Sequence, residues 1–154
     1  MAKLELENFE SFRALEGQTL PTGDWLTVTQ DMINDFAKAT MDFQWIHIDV
    51  KKAEKHSPFK KPVAHGFMSL ALLSKMLQDV VKVKSAKMGV NYGLNRVRFP
   101  SPVLVDSQLR LVCTIQKIEN YGDRGLKITW NSVVEIEGSD KPACVAEFIS
   151  LMFE

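Results

Sequence analysis

Cysteine is scarce in this chain: Cys113 and Cys144 are the only two in 154 residues. Two cysteines give no disulfide framework. Both sit in strand-like apolar runs, so buried free thiols in a reducing compartment are expected. Charge of one sign is also missing. Nineteen Lys and Arg balance nineteen Asp and Glu, which leaves no net field to draw in nucleic acid or an anionic membrane. The longest apolar-rich segment, Phe67 to Val83, is interrupted by Lys75, Gln78, Asp79 and Lys82. It reads as a buried helix rather than a membrane span. The opening MAKLELENFESF lacks the basic-then-apolar order of a secretion signal, which makes a cytoplasmic location the expectation. No Gly-rich phosphate loop is present. His47, His56 and His65 follow one another at intervals of nine, which is not a zinc-ligand spacing. Neither a metal nor a cofactor is expected.

What is present fits one globular domain over residues 1–154, with 1–16 as a peripheral segment: 45% of residues are apolar and 25% charged. Trp25 to Thr29 reads as a strand, and Thr29 as the N-cap of a helix through Thr40 with Ile33, Phe36 and Ala37 as its apolar stripe. Asp49 caps a short helix through Lys55. Gly66 precedes a long helix, Phe67 to about Lys82, apolar on more than one side and therefore wrapped on most sides. Beyond residue 88 the period becomes two. Val90 to Phe99 is a strand whose parity changes near Asn95, the mark of a bulge. Leu109 to Ile115 and Leu126 to Ile136 alternate strictly, with a turn at Tyr121 to Gly125 and another at Gly138 to Asp140. Ala143 to Phe153 is apolar on both faces, as a central strand would be. The pattern is α+β: antiparallel strands that must bury their apolar face on one helix.

Three segments carry the chemistry. Asp42-Phe43-Gln44-Trp45-Ile46-His47 has no clear period. Lys61-Pro62-Val63-Ala64-His65-Gly66-Phe67-Met68 opens the apolar helix. Asn91 to Val103 contains Arg96-Val97-Arg98-Phe99-Pro100. Together, over roughly Gly17 to Phe153, they resemble the MaoC-like dehydratases, also called R-specific enoyl-CoA hydratases, and within them the nodulation-protein-N-like branch. The resemblance implies a hot-dog fold, an antiparallel sheet wrapped around one long central helix. The family pattern is Gly-Asp-x-Asn-Pro-aliphatic-His. Here Met41 stands for the Gly, Gln44 for the Asn and Trp45 for the Pro, while Asp42, Ile46 and His47 keep their places.

The resemblance further implies reversible hydration of a 2-enoyl thioester to the R-3-hydroxyacyl thioester. It makes Asp42 and His47 the acid/base pair and the Gly66 N–H the oxyanion donor. A carboxylate and an imidazole sharing one water suit this reaction at neutral pH. Charge developing on the thioester oxygen suits a helix N-terminus. Ser74 matches a supporting serine. His65 either orients the helix start or lines the pocket. Gln44 and Trp45 are placed at the substrate, with Trp45 either narrowing the acyl channel or packing in the core. Arg96 and Arg98, with Lys60 and Lys61, are the available contacts for coenzyme A phosphates. The acyl carrier is coenzyme A or an acyl carrier protein, and a homodimer is implied. The alternatives are a hot-dog thioesterase and a non-catalytic acyl-thioester binding module.

Overall fold

The computed structural model describes residues 2–154. In chain order the elements are β1 (Leu4–Leu6), α1 (Phe9–Arg13), β2 (Leu26–Thr27), α2 (Gln30–Thr40), α3 (Trp45–Ile48), α4 (Val50–His56), α5 (Gly66–Ala71), α6 (Leu73–Val80), β3 (Val81–Val83), β4 (Met88–Arg98), β5 (Gln108–Tyr121), β6 (Gly125–Ile136) and β7 (Cys144–Phe153). The main sheet is antiparallel in the order β2-β5-β6-β7-β4. It curls around α5 and α6. This is the hot-dog arrangement that the resemblance implies.

The alternation read from the sequence decides which face is inside. Leu109, Leu111, Cys113 and Ile115 on β5 are buried, as are Leu126, Ile128, Trp130, Ser132 and Val134 on β6. They meet Met68, Leu73, Met76, Leu77 and Val80 from the central helix in one core. Burial pushes the Cys113 and Cys144 thiols up to about 11. Both therefore stay protonated and unreactive at neutral pH. β7 lies between β6 and β4, which explains its apolar residues on both faces.

Four expectations change. The strand read over Trp25 to Thr29 shrinks to Leu26–Thr27, with Thr29 taken up as the N-cap of α2. The preceding chain still donates Gly17, Leu20 and Gly23 N–H groups to the carbonyls of Ile115, Cys113 and Leu111. The long helix begins at Gly66 itself, is interrupted at Leu72, and stops at Val80. The β-branched Val81 and Val83 then pair in parallel with Leu4 and Leu6. The helix is not wrapped on most sides: Phe67 is 72% exposed. β4 carries two irregularities, one between Asn91 and Gly93 and one at the anticipated position between Leu94 and Arg96.

The fourth change concerns the N-terminal segment. Its polar residues face solvent, but Phe9 and Phe12 are buried, Phe12 completely. The Phe12 ring lies 5.9 Å from that of Trp130, and Asn8 and Ser11 close a reciprocal capping box that fixes α1 against the core. Phe12→Ala should therefore cost about 3–5 kcal/mol, read from urea unfolding. A loss below about 1 kcal/mol, the range of surface substitutions, would show that the segment is peripheral after all.

Candidate active site

Asp42 is delivered by the end of α2. Thr29 caps that helix by accepting the Met32 N–H at 3.2 Å. The helix terminates at Met41, whose φ of 59° is left-handed. A left-handed C-terminal residue is the reason the family pattern has glycine at this point. Here the strained methionine makes the same turn, with its side chain in solvent. Asp42 Oδ1 then accepts the Gln44 N–H at 3.3 Å. Trp45 is the first residue of α3, the helical position where proline is easily accommodated. Losing proline removes rigidity without altering the path of the chain.

His47 is held from two sides. Its Nδ1–H donates to the Val63 carbonyl at 2.6 Å. Val63 in turn donates its own N–H to the Ile46 carbonyl at 3.0 Å. The Gln30 amide donates to the His47 carbonyl at 2.8 Å and to Asn34 at 2.9 Å. With Nδ1 committed as a donor, the neutral ring presents an unprotonated Nε2. His47 is almost fully buried. That burial lowers its pKa, and His65 adds to the lowering; the Val63 hydrogen bond and the Asp42 charge oppose it. The ring is therefore neutral at pH 7.

His65, the residue before α5, stacks on His47 with ring centres 3.8 Å apart and 22° between planes. Phe36 tilts against its other surroundings at 5.0 Å. Its Nε2 lies 3.0 Å from the Asp42 backbone carbonyl and 4.0 Å from the Asp42 carboxylate. Its buried Nδ1 has no hydrogen-bond partner among the described residues. His65 thus ties the helix start to the Asp42 turn.

Asp42, His47 and His65 each offer one atom, and the three atoms lie within 4.8 Å of one another. A metal is poorly served there. The nearly parallel stacked rings run their nitrogen lone pairs side by side, whereas an ion about 2.0–2.1 Å from each nitrogen needs them to converge. The separation suits a bridging water, which would hydrogen-bond to the carboxylate and an imidazole nitrogen together.

Gly66 opens α5, and His65 makes no side-chain capping bond to that turn. The first N–H groups have no intrahelical partner. The sequence reading assigned the space beside Gly66 to the thioester. In the structure Phe99 occupies it: a Cβ added at Gly66 would lie 3.2 Å from the Phe99 ring. The remaining candidates are elsewhere. Ser74 lines a trough between the central helix and β4. Trp45 lies beneath the Lys52 ammonium, 4.8 Å from its ring centre, and Gln44 is exposed. Arg96 and Arg98 sit on the outer face of the sheet, beside Gln116, Asn131 and Glu147. Val63, Gln30, Phe36 and Phe99 were not legible as site residues. Val63 acts through its backbone, and the others by contacts distant in sequence.

Two measurements follow from this geometry. Folded His47 gains its proton at lower pH than an ordinary imidazole, near 6.5. Its contribution to stability is thus full above about 6.5 and is lost as pH falls through that value toward the folded pKa. Any acid limb that His47 sets on kcat/KM should lie below 6.5, and a His47-dependent limb above it would contradict the buried neutral ring. The second measurement is a double-mutant cycle on Gly66→Ala and Phe99→Ala. Removing the Phe99 ring should relieve the added methyl, giving a coupling of about 0.5–3 kcal/mol in stability. Strict additivity would mean that Phe99 is not what requires glycine.

Comparison with known proteins agrees with this architecture. Residues 11–136 match the MaoC like domain. The chain is 45% identical over 143 residues to the 3-hydroxyacyl-thioester dehydratase Z of Mycobacterium tuberculosis, covering 93% of this chain and 94% of that one. It is 42% identical over 139 residues to nodulation protein N of Rhizobium meliloti, covering 90% and 86%. The crystal structure of a monoamine oxidase regulatory protein from Archaeoglobus superposes with a TM-score of 0.75 at 23% identity, covering 100% of this chain and 99% of that one. On the strength of the domain match and these relatives, the chain belongs to the MaoC-like domain family.

Proposed function

We propose that this protein is a hydro-lyase that reversibly hydrates a 2-enoyl thioester, carried on coenzyme A, to the R-3-hydroxyacyl thioester. Asp42 and His47 are its catalytic pair, and neither metal nor cofactor takes part. The observation that carries this reading is the pairing of an exposed carboxylate with a neutral, tautomer-locked imidazole within 4.8 Å. The nearly full-length relative that is named a 3-hydroxyacyl-thioester dehydratase supports the same chemistry.

In the hydration direction a water held by the pair attacks C3. A bond forms between the water oxygen and C3 as the double-bond electrons move toward the thioester oxygen. The pair takes one proton from the water and returns one to C2, ending in its starting protonation state. Charge accumulating on the thioester oxygen is met by the open N–H at the start of α5, that of Gly66.

Asp42→Asn and His47→Ala should each lower turnover on the order of a hundred- to ten-thousandfold while the protein still unfolds cooperatively. The assay is loss of the enoyl-thioester absorbance. Release of free thiol instead would mark a thioesterase, and near-wild-type rates in either folded variant would remove the acid/base assignment.

The assembly we propose is a homodimer through β4. This strand is the edge of the main sheet, eleven residues long. Exposed Met88 and Tyr92 lie along it, so a second copy would continue the sheet and cover apolar surface. Light scattering should return twice the chain mass of 17.4 kDa. A monomer at assay concentration with full activity would contradict the assembly.

A further inference from the structure

The trough between the central helix and β4 holds two adjoining cavities. The one that begins at Phe67, beside Gly66, is about 410 Å³. Leu70, Ala71, Leu73 and Leu94 give it apolar walls, with Ser74, Asn91 and Tyr92 as its polar lining. Ser74, Asn91 and Phe148 also line a second cavity of about 390 Å³. The two adjoin at these three residues. Eight residues of helix at about 1.5 Å each put Ser74 roughly 12 Å from Gly66, so the second cavity is the distant one. Gln78, Ser150 and Trp130 are added there.

The polar groups at that end are organised by the fold. The Trp130 Nε1–H donates to Ser150 Oγ at 2.8 Å. With one donor already supplied, the Ser150 hydroxyl has its own proton left for an acceptor. Asn91 stands directly across from Ser150 in the β4–β7 register. The irregularity between Asn91 and Gly93 resets the alternation, so that Leu94 comes opposite Phe148 while Asn91 stays opposite Ser150. On β4, Leu94 thus stands beside Phe148, and Asn91 is the polar side chain beside Ser150. A saturated chain filling the trough would strip water from Ser150 and Asn91 and return no hydrogen bond.

We propose that the acyl group carries an oxygen function, a hydroxyl or carbonyl, at its far end, and that Ser150 and Asn91 recognise it. The inference rests on the hydratase reading above and specifies the substrate class within it. A carbonyl would accept from the Ser150 hydroxyl, and a hydroxyl could in addition donate to the Asn91 amide oxygen. Sites built to hydrogen-bond a group reject the analogue that lacks it far more strongly than apolar pockets reject a missing methylene.

The test compares kcat/KM for 2-decenoyl-CoA and its ω-hydroxy analogue in the wild type, Ser150→Ala and Asn91→Leu. Because the readout is a ratio of two substrates on one enzyme, partial loss of folded protein cancels. Asn91 lies on the edge strand β4, outside the hydrophobic core, which keeps the test usable if Ser150→Ala folds poorly, with light scattering run alongside to check the assembly. The expected result is a preference of about tenfold or more for the ω-hydroxy substrate, reduced toward unity in both variants. Equal use of the two substrates by the wild type, or a preference that both variants retain, would overturn the proposal while leaving the hydratase reading intact. Failure of the wild type to hydrate either substrate, or crotonyl-CoA run alongside, would remove the hydratase reading and this proposal with it.

Discussion

The hydrogen bond from His47 Nδ1 to the Val63 carbonyl is the constraint on which the site depends. It joins two segments sixteen residues apart and leaves only Nε2 of the neutral ring free to take a proton. The same stretch of backbone that accepts this bond leads into His65 and Gly66. Val63 is itself fixed by Ile46 on one side and by the bridge to Leu104 on the other. The imidazole, the Asp42 turn and the first turn of α5 are thus parts of one hydrogen-bonded unit. In the proposed pair, a backbone carbonyl sets the tautomer of one member.

Departures from the family pattern fall on the frame of this unit. Met41 keeps the left-handed turn at the end of α2 at the local cost of its own Cβ against the backbone, with its side chain in solvent. Trp45 takes the first position of a short helix, where the backbone N–H would be free of an intrahelical partner in any case. Its indole is covered by Lys52. These replacements change local strain and rigidity while leaving Asp42 and His47 in register. The Trp45 ring does not line the trough between the central helix and β4, and it is not part of the hydrophobic core.

The strands were legible in the sequence wherever one face is buried, because a period of two then separates inside from outside. This holds for Leu109 to Ile115 and Leu126 to Ile136, and for the bulge at Asn95. The helix over Gln30–Thr40 was legible from its cap and stripe. Phe12 was not, because an isolated aromatic in a polar segment shows no period, and its place beside Trp130 is set by contacts more than a hundred residues away. The end of α6 was missed because Val81 to Val83 fits a helical stripe as well as a strand. Only the distant Leu4 to Leu6 decides between them. At the site, the motifs pointed to Asp42, His47, His65 and Gly66. The structure gathers those four, and it leaves Arg96 and Arg98 on the opposite face of the sheet. What the motifs could not convey is the contribution of groups without side-chain identity, such as the Val63 carbonyl, or of a ring such as Phe99 that fills space left by glycine.

The most direct test of this account is the tautomer of His47 in solution. Nitrogen-15 correlation spectra of the imidazole at pH 7, assigned by comparison with His47→Gln, report the protonation of each ring nitrogen. The account expects a neutral ring with the proton on Nδ1 and a bare Nε2. A proton on Nε2, or a doubly protonated ring, would contradict it, because no lone pair would then remain at the atom assigned to proton transfer.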